Sequence, residues 1–270
     1  MLQSRKLFSI LFAVGALYLL LLQQFFKHEG HFLIQSPQIE ASQTYSFKTN
    51  FQELNLPINK EVNLNGIWFK QPGAKSLILL FPDSDEDISR FQIESSAYFQ
   101  NGFDVLIPAY RGAAKSTGKL TSENDLFLDA QNWYHFANSQ FKKQNISVAG
   151  QGFGCSIAAH LAASQELKAV ILENPTYSYG DYLARKRFWC FAYDYFTKFP
   201  LETWKDIRRS RNKIFLLQDE AKKGDDNSLI KFLKNSDRIF WLKQSDKINY
   251  SFDPANKNIF QGILSPLNSK

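Results

Sequence analysis

Beyond position 160 the sequence contains no histidine; the four present are His28, His31, His135 and His160. Whatever chemistry the C-terminal part carries, it carries without an imidazole acid, base or metal ligand. Cysteine is almost as scarce. Cys155 and Cys190 are the two in the chain, with no CxxC and no spacing suited to a metal, which excludes a zinc site and a disulfide framework and leaves open one bridge between them. No metal and no cofactor are expected. A one-sided charge is lacking too: the net charge of +6 is modest, and no nucleic-acid partner is expected because phosphate binding needs basic residues gathered on one face. There is no internal repeat and no low-complexity tract. With 44% hydrophobic and 21% charged residues, the chain can bury a core, and wholesale disorder is excluded.

The amino end carries the longest apolar run. Residues 7–26 contain no charged side chain. As a helix rising about 1.5 Å per residue, such a run spans roughly 30 Å, the thickness of a bilayer core. Arg5 and Lys6 precede it, so residues 1–6 are expected to stay cytoplasmic and the globular part to lie on the non-cytoplasmic (periplasmic) side. The run ends in Gln23-Gln24-Phe25-Phe26-Lys27 without a small-x-small cleavage pattern, which favours an uncleaved single-pass signal anchor over a removed signal peptide.

Residues 27–50 then read as a polar linker, and 51–270 as one domain. Residues 51–58 and 63–70 alternate like a half-buried antiparallel pair. The run 76–81 is continuously apolar, as a strand buried on both faces is. Helical periodicity over 88–100 leads to a strand at 104–108. A helix follows from Thr121 or Ser122 with Leu126, Ala130, Trp133 and Ala137 on one stripe. Further strands are predicted at 145–149, 169–172, 214–217 and 238–242, with a small-residue helix at 153–164. Strands alternating with helices predict an α/β fold: a mostly parallel central sheet with helices on both faces. Residues 177–213 interrupt the alternation. Aromatic residues such as Trp189 and Trp204 lie there among Arg208, Arg209 and Arg211, as expected of a helical cap inserted over the carboxyl ends of the strands.

Three motifs stand out: Ala109-Tyr110-Arg111-Gly112 with Lys115-Ser116-Thr117-Gly118, Gly150-Gln151-Gly152-Phe153-Gly154 after a strand, and Leu172-Glu173-Asn174-Pro175. Together they resemble loops of the α/β-hydrolase superfamily, in particular its membrane-anchored bacterial serine hydrolases related to serine aminopeptidases. The resemblance implies the α/β-hydrolase fold and a nucleophile elbow, Gly-x-Ser-x-Gly, served by a histidine base and a carboxylate. Here the nucleophile position is Gly152. The carboxylate position falls near Lys222, with Asp219 and Glu220 close by, and the histidine position near Lys247. The oxyanion loop reads Pro82-Asp83-Ser84-Asp85-Glu86-Asp87, whose carboxylates oppose a developing negative charge.

Other readings of the same residues are weaker. The glycines at 150–154 resemble a dinucleotide fingerprint, but Cys155 takes the third glycine's place. Asp83, Asp85, Asp87 and Glu94 follow a calcium-loop spacing, but Ile88 stands where a glycine is required. Cys155 or Ser156 with His160 would be a displaced nucleophile and base. The expectation is therefore a membrane-anchored pseudoenzyme that binds a lipid, peptide or protein partner in the old cleft or cap. Candidate binding residues are Asp83, Ser84, Phe153, Trp189, Arg208 and Arg209. The alternative is an active serine or cysteine hydrolase, an esterase or peptidase, with a relocated triad. The basic, aromatic cap segment has three readings: ordinary cap packing with a solvated basic face, aromatics lining a pocket beneath the cap, or contact with anionic headgroups close to the anchor.

Overall fold

In the computed structural model, residues 2–181, 197–220, 229–242 and 250–268 are described. Eight strands form one sheet: β1 (Phe51–Pro57), β2 (Asn63–Phe69), β3 (Leu77–Phe81), β4 (Asp104–Pro108), β5 (Ile146–Gln151), β6 (Val170–Glu173), β7 (Ile214–Asp219) and β8 (Arg238–Leu242). Their spatial order is β1-β2-β4-β3-β5-β6-β7-β8. The β1–β2 and β2–β4 pairs are antiparallel, and every pair from β4 to β8 is parallel. The carboxyl ends of six strands therefore share one edge of the molecule, where a sheet of this kind places its ligands.

Side-chain alternation along the strands makes two cores. Leu79, Val148, Leu172 and Leu216 pack with α4 (Glu123–Gln140), α5 (Gly154–Ser164) and α6 (Thr203–Arg209) on one face. Ile78, Ala149, Ile171 and Leu217 pack with α3 (Ala97–Gln100) and α7 (Lys257–Asn268) on the other. In α4 the predicted stripe Leu126, Ala130, Trp133 and Ala137 is buried throughout. Asp125, in the first turn, accepts hydrogen bonds from the Thr121 and Ser122 amides, so the helix begins where the sequence placed it.

Two expectations change. The helical periodicity at 88–100 resolves into short 3₁₀ turns, Ile88–Arg90 and Ile93–Ser95, before the four-residue α3. Asp87 bonds the Ser89 amide, and the Ser95 hydroxyl bonds the Gln92 carbonyl. These side chains offer the backbone partners that compete with a continuous helix.

The second change concerns residues 27–50, which are docked chain rather than a free linker. The N-terminal helix α1 (Leu2–Lys27) is followed after one residue by α2 (Glu29–Leu33). Leu33 and Tyr45 are buried. The Gln35 and Ser36 amides both donate to the Ser84 carbonyl, and Ala114 exchanges backbone bonds with Pro37 and Ile39. The segment is thus held by backbone and hydroxyl bonds together with the burial of Leu33 and Tyr45.

Candidate functional site

β5 is buried along its whole length and delivers the chain into Gly152, whose φ of +49° is the left-handed turn of an elbow. Its neighbours must be small. A Cβ on Gly150 would lie 2.6 Å from the Cys155 Cα, and one on Gly154 only 2.1 Å from the Phe81 carbonyl oxygen. The glycine pattern therefore has a packing cause: the start of α5 presses against the ends of β3 and β5.

Gly152 itself meets something else. A Cβ built there would lie 2.0 Å from Oδ2 of Asp83 and 2.8 Å from its Oδ1. Oδ1 accepts hydrogen bonds from the Phe153 amide at 3.0 Å and the Ser84 amide at 2.7 Å. The amide after the nucleophile position is one of the two donors that bind the oxyanion in this fold, the other coming from the loop after β3. The Asp83 carboxylate thus occupies the anion seat at the amino end of α5, where the helix dipole also favours it. The Tyr110 hydroxyl fixes the loop by donating to the Pro82 carbonyl at 2.6 Å.

Beneath the elbow is a second carboxyl, from the segment Leu172-Glu173-Asn174-Pro175. Glu173 ends β6, fully buried, and accepts from the Tyr98 hydroxyl at 2.6 Å and the Ser251 amide at 2.9 Å. Gln151 reaches the Ser251 hydroxyl at 3.1 Å. Burial raises the pKa of Glu173, and burial together with Glu173 holds the Tyr98 phenol well above its ordinary value. The clue available in the sequence was position: an acid at a strand end directly beside the elbow strand.

The predicted site residues divide into three groups. Asp83, Ser84 and Phe153 come together as described. Trp189, Lys222 and Lys247 lie outside the described residues. A carboxylate does stand at the end of β7: Asp219 is buried, pairs in register with Leu242, and with burial and Glu173 pushes the Tyr250 phenol up to about 12. Arg208 and Arg209 are exposed at the far end of α6 and do not join the site. α6 runs alongside α5, with Thr203 at Ser156, Asp206 at His160, and Asn212 beyond it bonding the Ala162 and Gln165 carbonyls. Because α5 leads away from the elbow, the end of α6 lies toward the amino ends of the strands, so this part of the 177–213 segment does not cover the carboxyl ends as expected.

The displaced-nucleophile residues are occupied elsewhere. The Cys155 thiol is buried and donates to the Gly150 and Glu173 carbonyls at 3.0 and 3.2 Å. The Ser156 hydroxyl is buried against the Thr203 hydroxyl at 2.8 Å. His160 stacks on Phe127 with ring centroids 3.5 Å apart and meets Asp206 through Nδ1 at 3.2 Å. The calcium-loop carboxylates are dispersed: Asp87 pairs with Arg90, and Glu94 bonds the Thr49 hydroxyl.

Residues 72–223, more than half of the chain, match the family described as serine aminopeptidase (S33). The chain belongs to that family of α/β-hydrolases. The matching segment runs from β3 through the elbow to the loop after β7. Among solved structures, an esterase of Pyrococcus furiosus is similar over 86% of this chain and 99% of its own, with a TM-score of 0.63 and 16% identity. An α/β-hydrolase of Vibrio vulnificus is similar over 80% of this chain and 79% of its own, with a TM-score of 0.60 and 18% identity. An uncharacterized protein of Acanthamoeba polyphaga mimivirus is 26% identical over 145 residues, 49% of each chain. The chain thus spans about half the length of that curated relative.

Proposed function

We propose that this family member is a catalytically inactive, membrane-anchored protein that uses the carboxyl end of its sheet to hold a lipid, peptide or protein partner, with the domain on the non-cytoplasmic side. One observation carries the reading: the Asp83 carboxylate stands where the side chain of a nucleophile at position 152 would begin, and it takes the Phe153 amide that an oxyanion would need. A substrate carbonyl would have to displace an anion already held by two amides. The absence of any histidine after His160 supports the same conclusion, since a serine hydroxyl is a weak nucleophile until a positioned base removes its proton.

The alternative, an active esterase or peptidase with a relocated triad, draws on the Asp206–His160 pair, whose carboxylate-to-Nδ1 contact is how a catalytic histidine is oriented. Among the described residues, however, no hydroxyl or thiol hydrogen-bonds the other ring nitrogen of His160. The purified protein is expected neither to label with a fluorophosphonate probe nor to turn over p-nitrophenyl esters. Hydrolysis that disappears in Cys155→Ala or Ser156→Ala, with the fold intact, would decide for the alternative.

A further inference from the structure

The stretch between α1 and the domain is too short and too firmly held to act as a tether. α1 contains a run, Phe8–Lys27, long and apolar enough to cross a bilayer. His28 alone separates it from α2. α2 is locked to the domain at both ends. Glu29 is buried, accepting from the Thr197 hydroxyl at 2.5 Å and from the Lys198 amide at 3.2 Å. Leu33 belongs to the core, and Gly30 sits so close to Leu120 that a Cβ would lie 2.3 Å from its carbonyl oxygen.

The strap then binds Ser84, Glu86 and Ala114. Ser84 and Glu86 follow β3, and Ala114 follows β4, so α2 and the strap lie at the carboxyl end of the sheet, the end that holds Gly152 and Asp83. α1 is also covered in part. Among its side chains that are described, from Phe8 on, Tyr18, Leu22, Phe25 and Phe26 are shielded, at the i, i+4, i+7 and i+8 spacing of one helix face. Leu22 lies five residues before Lys27, about 7.5 Å along the helix. Protein therefore flanks α1 to that depth inside the apolar run. On the outside, Phe32 is 49% exposed and stacks on Phe25 with centroids 5.7 Å apart, extending the exposed apolar surface of α1 onto the domain.

We propose that the carboxyl end of the sheet is seated directly on the lipid bilayer, with α2 and Phe32 at the level of the headgroups and the amino ends of the strands facing water. The surface is the one formed by α2 and the strap, and its partner is the lipid surface itself. The inference rests on the reading of α1 as a membrane anchor.

Site-directed spin labelling of the full chain in phosphatidylcholine–phosphatidylglycerol vesicles tests it. Labels are placed by Phe32→Cys and by Lys142→Cys in a Cys190→Ser background, Cys155 being buried. Lys142 is exposed and precedes the turn into the amino end of β5. The expected ratio of oxygen to aqueous-nickel accessibility is several-fold higher at 32 than at 142. A ten-residue Gly/Ser insertion between Lys27 and His28, with a reach of roughly 17 Å, should lower the ratio at 32 while the chain still floats with the vesicles. Equal ratios at 32 and 142 in a floating chain would overturn the seating and leave the anchor standing. A chain that fails to float, or that carbonate extracts, overturns the anchor and the seating with it.

Discussion

At Gly152 the backbone keeps the turn of a nucleophile elbow, while the functional group that fills the space comes from Asp83, 70 positions away from the amide it engages. This makes a single repair self-defeating. In Gly152→Ser the new Cβ collides with the Asp83 carboxylate and must also adopt a positive φ. The expected loss of stability is about 1–3 kcal/mol. Asp83→Ala in the same chain should recover part of it, giving a clear coupling in a double-mutant cycle followed by denaturant unfolding. Additive effects would mean that Asp83 does not occupy the elbow in solution. Neither variant should gain esterase activity, because a lone serine still lacks its base. Glu173 supplies a pH dependence of its own. Its folded pKa is raised by burial above the unfolded value, so the folded state holds the proton longer. Its contribution to stability is full below the unfolded pKa and is lost as pH rises through the folded one. Glu173→Gln should therefore flatten the decline of Tm with rising pH and compare best with the wild type at the alkaline end. A parallel decline in both proteins would assign the dependence to another group.

Among the elements, those built on local periodicity were legible: the paired strands β1 and β2, the apolar β3, the α4 stripe and the strand–turn–helix around Gly152 all declare themselves in neighbouring residues. What was not legible depended on distant partners. The approach of Asp83 to Gly152 joins two loops that no local pattern connects. The strap at 29–39 looked like a polar linker because its hold on the domain runs through backbone amides, the Ser36 hydroxyl and the Glu29 carboxylate, with Leu33 its one buried apolar side chain. The 88–100 segment has helical spacing, but the Asp87 cap and the Ser95 hydroxyl on the Gln92 carbonyl accompany its division into short turns. The strap's docking gives a paired prediction within one stretch of chain. Gly30→Ala places a methyl group 2.3 Å from the Leu120 carbonyl and should destabilise the domain by about 1–3 kcal/mol and expose residues 28–45 to protease. Gly15→Ala meets nothing within 4 Å and should leave the melting temperature of the domain unchanged. Equal tolerance at both positions would show that α2 is not docked.

On the scale of the whole molecule, the distribution of charge separates two ways of meeting a membrane. One reading of the sequence set the basic residues of the cap against acidic lipid, with Arg208, Arg209 and Arg211 as the candidates. The fold puts them toward the amino ends of the strands, since α6 follows α5 away from the elbow and the chain then enters β7 at its amino end. The six-residue β5 separates the two ends of the sheet by about 20 Å. That exceeds the Debye length of about 8 Å at physiological ionic strength, so charge at one end is hardly felt at the other. If the carboxyl end is the seated one, reversal of all three arginines to glutamate should leave the oxygen accessibility of a label at position 32 unchanged at low and high salt. A label introduced by Arg209→Cys should collide with aqueous nickel as readily as one at position 142. Being exposed, the arginines should also cost the fold little, within about 0.5 kcal/mol each. A reversal that loosens the label at 32 in a manner dependent on salt, or a label at 209 shielded from nickel in vesicles, would place the arginine end against the lipid and turn the molecule over.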